Sequence, residues 1–108
     1  MADQRSPRVN KALMANYKGQ TVRLIAKLIT FKDGRAIVEA SDGGQVEVSL
    51  PRNDSLDCQY LEIIGKVEDE RTIKMLGHVK FGDDVDMKLA EQVVQIWHDP
   101  KFAHVFAV

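Results

Sequence analysis

The side chains able to do chemistry are few and scattered. The soft metal ligands number three histidines, His78, His98 and His104, and one cysteine, Cys58. A structural zinc site draws on ligand pairs a few residues apart. Here His98 and His104 straddle Pro100, while Cys58 and His78 belong to separate segments. No metal site is expected from that spacing. Asp42-Gly43-Gly44 lacks the length and the trailing Lys-Ser/Thr of a phosphate-cradling loop and reads as a hairpin turn. Ser41, Ser49 and Ser55 sit in no nucleophile context. Glu68-Asp69-Glu70 is a solvated acidic turn with no second carboxylate placed for general acid–base work. The chain is therefore expected to have no catalytic residue and no cofactor, and not to be an enzyme.

One group has the right types for gripping a single strand of nucleic acid. Phe31 could stack on a base, with Lys32, Arg35 and Arg71 as phosphate contacts. A base stacked on an aromatic is worth about 1–3 kcal/mol. A single platform therefore makes a weak binder, and residues 32 to 59 contain no aromatic at all. Lys and Arg number 15 against 16 Asp and Glu, giving a formal charge of −1 and a pI near 6.3. That balance excludes a generally basic, electrostatic binder. Arg71 also follows the acidic run 68–70. The same residues fit an equally simple reading, in which Phe31 closes one end of the fold and the cations are ordinary surface.

The length of 108 residues and the 44% hydrophobic, 29% charged composition fit one globular domain. The lone Cys58 fits a reducing compartment. No apolar run approaches the length of a membrane-crossing helix. Met1 to Arg8 is polar and reads as a frayed arm, and Asn10 opens a short helix of about two turns over residues 10–17, stopped by Gly19. Thr21 to Phe31 alternates with period two over an unusual length, as in a strand that curls round a barrel. Asp33-Gly34 and Asp42-Gly43 are turn signals, and they separate strands at Ala36–Ala40 and Gln45–Leu50. Pro51 to Gln59 is a polar loop. Tyr60–Val67 and Thr72–Phe81 resume strand character, with Gly65 and Gly77 on their apolar faces alongside Ile73, Met75, Val79 and Phe81. Glycine there marks a bulge or a close approach. Five strands with a long first member predict an all-β fold, a five-stranded Greek-key OB barrel over about residues 20–81. An SH3-like barrel is the rival, but it would not usually carry a substantial C-terminal helix.

That helix is the informative element. Asp86 can cap a segment running to Trp97 or His98, and Asp99-Pro100 ends it, so its span is about 86–98. At about 100° per residue, Met87, Ala90, Val94 and Trp97 form one apolar stripe. Leu89, Val93 and Ile96 form the adjacent one. Together they cover roughly half the circumference, wider than one core requires. The tail, 99–108, stays apolar through Phe102, Val105, Phe106 and Val108. Either both stripes pack within this chain, or one is a partner-binding surface, helix on helix. The width of the face favours the partner.

Several segments together resemble a known family. They are Arg8-Val9-Asn10 with Met14-Ala15, Gly65-Lys66-Val67, Asp86-Met87-Lys88-Leu89 through Val93-Val94, and Ile96-Trp97-His98-Asp99. In this order and spacing the chain, from about residue 8 to 106, is similar to the smallest subunit of replication protein A, the eukaryotic single-stranded-DNA-binding heterotrimer. The resemblance implies an OB fold whose C-terminal helix joins helices of the large and middle subunits in a three-helix bundle. It implies a mainly structural role in DNA replication, repair and recombination, in the nucleus, with DNA held chiefly by the other two subunits. Carried onto this sequence, the bundle positions are Met87, Ala90, Val93, Val94 and Trp97, with Trp97 standing where the family's helix commonly ends in aliphatic residues. The alternative function is an autonomous, weak single-strand-binding module built on Phe31, Lys32, Arg35 and Arg71.

Overall fold

The computed structural model describes residues 6–51, 56, 58–82 and 84–99. Six strands and one α-helix follow one another: β1 Arg8–Val9, β2 Thr21–Lys32, β3 Arg35–Ala40, β4 Gln45–Ser49, β5 Tyr60–Val67, β6 Thr72–Gly82 and α1 Met87–Trp97. A four-residue 3-10 helix, Met14–Tyr17, lies between β1 and β2.

The long alternating run makes β2, and its length serves two partners. Thr21 to Lys27 pairs antiparallel with β5, and Ala26 to Lys32 with β3. The two pairings overlap at Ala26 and Lys27, and a bulge within the β3 ladder, between Leu28 and Thr30, leaves Ile29 exposed; bulges bend a strand in this way. β3 pairs with β4, β4 runs parallel to β6, and β6 pairs with β5. Because β5 also pairs with β2, the ladder returns to its starting strand and the sheet closes. The inward residues of each strand fill the centre, among them Val22, Leu24, Val38, Val48, Leu61, Ile63, Ile73 and Met75.

Four expectations are corrected. Arg8 and Val9 do not belong to an arm or a helix. They pair in parallel with Arg23 and Leu24, and the Pro7 carbonyl accepts from the Arg23 amide at 2.8 Å. This makes six strands where five were expected. The segment after Asn10 is a turn and a single 3-10 turn, Met14–Tyr17. Asn10 Oδ1 accepts from the Leu13 amide at 3.0 Å, the bond a helix N-cap makes, and Lys11 and Ala12 donate to the Asp42 carboxylate at 3.3 and 3.1 Å. A segment this short has little cooperative reserve to continue as an α-helix. Leu56, placed in a polar loop, is buried in the core. Finally, the alternation of β6 breaks. Ile64 faces Gly77 while Gly65 faces Met75, so Leu76 is an extra residue on the bulged strand. Beyond it Val79 and Phe81 are exposed, whereas Ile73 and Met75 are buried. Gly65 itself is required there: a Cβ would lie 2.5 Å from the Lys74 carbonyl oxygen.

A buried carboxylate sits within this framework. Glu62 is 3% exposed and is held by Arg8 Nε at 3.0 Å and Arg23 Nη1 at 3.3 Å. It ties β1, β2 and β5 together, and a buried carboxylate persists only when so partnered.

Candidate subunit interface and nucleic-acid face

Helix α1 begins where Asp86 offers a side-chain acceptor. Its Oδ1 takes the amides of Lys88 and Leu89 at 3.0 and 3.1 Å, satisfying donors that every helix start leaves open. At the other end the Asp99 amide bonds the Ile96 carbonyl at 3.1 Å. Of the two apolar stripes, Ala90 and Val94 are buried, at 6% and 0% exposure. The helix packs on β1. Leu89 and Ile96, on the adjacent stripe, are 57% and 41% exposed, and Val93 between them is half-buried. Met87 and Trp97 are also half-buried. The five residues carried over from the resemblance therefore divide. Ala90 and Val94 face this chain's own body, while Met87, Val93 and Trp97 remain partly accessible. The tail residues Phe102, Val105, Phe106 and Val108 lie outside the described residues.

Polar contacts fasten one flank of the helix. The Glu91 carboxylate accepts from Asn10 Nδ2 at 3.0 and 3.2 Å and from Ser41 Oγ at 2.8 Å. Gln95 Nε2 also donates to it, at 2.6 Å. His98 Nε2 lies 2.8 Å from the Arg8 carbonyl oxygen, so that nitrogen carries a proton. Its ring meets Tyr17 edge-on at 5.9 Å and 61°, with Nδ1 3.5 Å from the Tyr17 hydroxyl. Sequence reasoning assigned no contact to Glu91 or His98. No local signal marks either, since their partners lie 50 to 90 positions away.

The nucleic-acid candidates gather on the β3–β4 side. Phe31 is half-buried and packs against the core. Lys32 is exposed at the β2–β3 hairpin. Arg35 is exposed and pairs through Nη1 with Glu47 Oε1 at 2.5 Å. Arg71 lines a shallow, open depression with Lys11, Ile37, Gln45, Val46 and Glu47. Lys11 was missed by sequence reasoning, and the clasp of Asp42 on residues 11 and 12 brings it there. Glu47 sits among these cations and neutralises part of their charge. Next to Arg71, the Asp69 carboxyl is held below its usual range, chiefly by the backbone N–H of Arg71 at 2.8 Å. Glu47 is the acid among the residues that line the depression. Among the described residues no group of three or more His, Cys, Asp or Glu could hold a metal, and no helix is long and apolar enough to cross a membrane.

Comparison with known proteins decides the family. The family model described as replication factor A protein 3 matches residues 1–103. The chain belongs to the replication factor A protein 3 family. A relative in that family, one of the 14 kDa replication protein A subunits of Arabidopsis thaliana, is 32% identical over 98 residues, 91% of each chain. Replication factor A protein 3 of Schizosaccharomyces pombe is 27% identical over 94 residues, 86% of this chain and 88% of the relative. Among solved structures, a chain in U. maydis replication protein A bound to single-stranded DNA superposes with a TM-score of 0.88 at 28% identity. That match covers 99% of this chain and 100% of the other. The six-stranded closed sheet with its C-terminal helix is thus shared with a member of a replication protein A complex.

Proposed function

We propose that this chain is the smallest subunit of a replication protein A heterotrimer, a non-enzymatic assembly component acting in DNA replication, repair and recombination in the nucleus. In this reading the closed sheet is a five-stranded Greek-key OB barrel with β1 as an accessory strand. The barrel serves as a mount for α1. The helix joins helices of the large and middle subunits in a three-helix bundle, and single-stranded DNA is held mainly by those partners. The observation that carries the reading is the exposed apolar flank of α1, Leu89 and Ile96 with Val93. A helix that has already buried Ala90 and Val94 still offers large apolar side chains to water, and their burial would favour association. The interface accordingly draws on Leu89, Val93 and Ile96, with Met87 and Trp97 at its margins. Burial of Ala90 and Val94 supports assigning them to mounting the helix rather than to direct contact. Co-expression with large and middle subunits of replication protein A, followed by size-exclusion chromatography, tests the proposal. Co-elution of all three chains is the expected result. A chain that elutes alone in every combination would overturn it.

The second reading, an autonomous weak binder of single strands, draws on Lys11, Arg35 and Arg71 beside the β3–β4 depression, with Lys32 and Phe31 at its end. The Arg35–Glu47 pair and the acidic 68–70 turn argue for low affinity. Fluorescence anisotropy of the isolated chain with short single-stranded DNA at low salt separates the two, since phosphate contacts release counterions and show a salt slope.

A further inference from the structure

Helix α1 could in principle dock on the sheet through either apolar stripe. The inner stripe is Met87, Ala90, Val94 and Trp97, with Ala90 and Val94 buried; the adjacent stripe is Leu89, Val93 and Ile96, with Leu89 and Ile96 exposed. Both stripes carry large apolar side chains, and apolar burial is not directional. Polar contacts are therefore needed to single out one rotation.

The polar contacts are arranged to do this. At about 100° per residue, Glu91 and His98 fall on the same flank of the helix, on one side of the Ala90–Val94 line, and Leu89, Val93 and Ile96 fall on the other. Glu91 engages Asn10 and Ser41, which belong to two separate parts of the chain. Asn10 is itself 3% exposed and is fixed by the Leu13 amide on its Oδ1, so its amide nitrogen is aimed at the helix. His98, two turns on, is fixed to the Arg8 carbonyl and the Tyr17 ring. The two parts of the anchor also touch: a Cβ on Gly44 would lie 2.5 Å from Lys11 Cβ, so the Ser41–Gly44 turn sits directly against the residue that follows Asn10. Hydrogen bonds to a charged acceptor are the strong ones and are directional, whereas apolar contact is not.

We infer that Glu91 and His98 are positioning residues: they set the rotation of α1 about its own axis, holding one flank against Asn10, Ser41, Arg8 and Tyr17, and so turn Leu89, Val93 and Ile96 outward. That this outward flank is then read by partner helices rests on the function proposed above; the rotation itself does not.

The test is hydroxyl-radical footprinting of the isolated full chain, reading Leu89, Ile96 and Val94 in the same digest. The double variant Glu91→Ala/His98→Ala is expected to lower the reactivity of Leu89 and Ile96 at least threefold, as the freed helix rolls to bring that stripe onto the sheet. Glu91→Gln, which keeps one acceptor for Ser41 and Asn10 but loses the charge, should show only a small part of the change. Asn10→Asp keeps the acceptor for the Leu13 amide but sets a carboxylate against Glu91. It should reproduce the double variant's pattern from the sheet side, and so serves if the double variant folds poorly. Unchanged reactivity at Leu89 and Ile96 in both the double variant and Asn10→Asp would overturn the inference. So would a rise at Val94 and Ile96 together, which would mean that the contacts only hold the helix on. A second arm measures binding to the large and middle subunits, where the double variant should bind at least tenfold more weakly and Glu91→Gln should recover most of the loss. If wild-type chain binds neither subunit, the proposed function fails while the footprint still decides the rotation.

Discussion

Two faces of this molecule treat their own side chains in opposite ways. On the β3–β4 face, Arg35 is paired with Glu47, Arg71 lies beside an acidic turn, and the aromatic Phe31 is packed into the core. Of the groups that could grip a phosphate or a base, Arg35 and Phe31 are engaged within the chain. On the outer flank of α1 the reverse holds: Leu89 and Ile96 stand 57% and 41% exposed. A surface that has satisfied itself gains little from a ligand. A surface that has not is where association can release free energy. The contrast argues that this chain contributes assembly more than DNA affinity.

The contrast can be broken most severely at the helix. Leu89→Asp with Ile96→Asp places charges in the centre of the proposed interface, where buried anchors are typically worth about 2 kcal/mol or more each. Affinity for the large and middle subunits is expected to fall about 1,000-fold, with far-UV circular dichroism unchanged, as co-purification and titration would show. Val94→Asp tests the opposite side of the same helix. It buries a carboxylate with no partner and is expected to cost about 3 kcal/mol in urea unfolding of the isolated chain. Leu89→Asp alone should stay within about 0.5 kcal/mol. Equal costs for the two would erase the distinction between the buried and the free stripe.

The β3–β4 face offers smaller effects. Glu47→Gln frees Arg35 and removes an anion beside Arg71. Single-strand affinity at low salt is expected to rise about three- to tenfold, with a steeper salt dependence in anisotropy titrations. No gain would mean that these cations do not meet DNA. The smallest effect concerns Asp69. Its folded-state pKa is depressed, so its stabilising contribution is present above the unfolded carboxylate value of about 3.9 and is lost as pH falls through the lower folded value. Asp69→Asn should therefore flatten the acid limb of the unfolding midpoint slightly, measured by urea titrations between pH 2 and 5. A steeper limb would reverse the assignment.

Local pattern made much of this legible. The period-two runs gave β2 to β5 nearly to the residue, the two Asp-Gly turns separated β2, β3 and β4, and Asp86 and Asp99 bounded α1. What stayed hidden depends on distant partners. A two-residue parallel strand such as β1 has no period to read, and it exists only because β2 leaves an edge beside Arg23 and Leu24. Two register shifts in β6, at Leu76 and at Phe81, broke the expected alternation, and Val79, Lys80 and Phe81 are all exposed. Leu56 looked like loop because its burial comes from the core around it. At the candidate interface the width of the apolar face was visible, but which stripe faced inward was not. That choice is made with Glu91 and His98 through contacts spanning up to 90 positions.

The most direct test of the account is side-chain footprinting of this chain free and assembled with the large and middle subunits. The prediction is strong new protection at Leu89, Val93 and Ile96, with Val94 protected in both states and with Arg35, Arg71 and the β3–β4 depression unchanged until DNA is added. Protection confined to the β3–β4 face, with Leu89 and Ile96 as reactive in the complex as in the free chain, would contradict it.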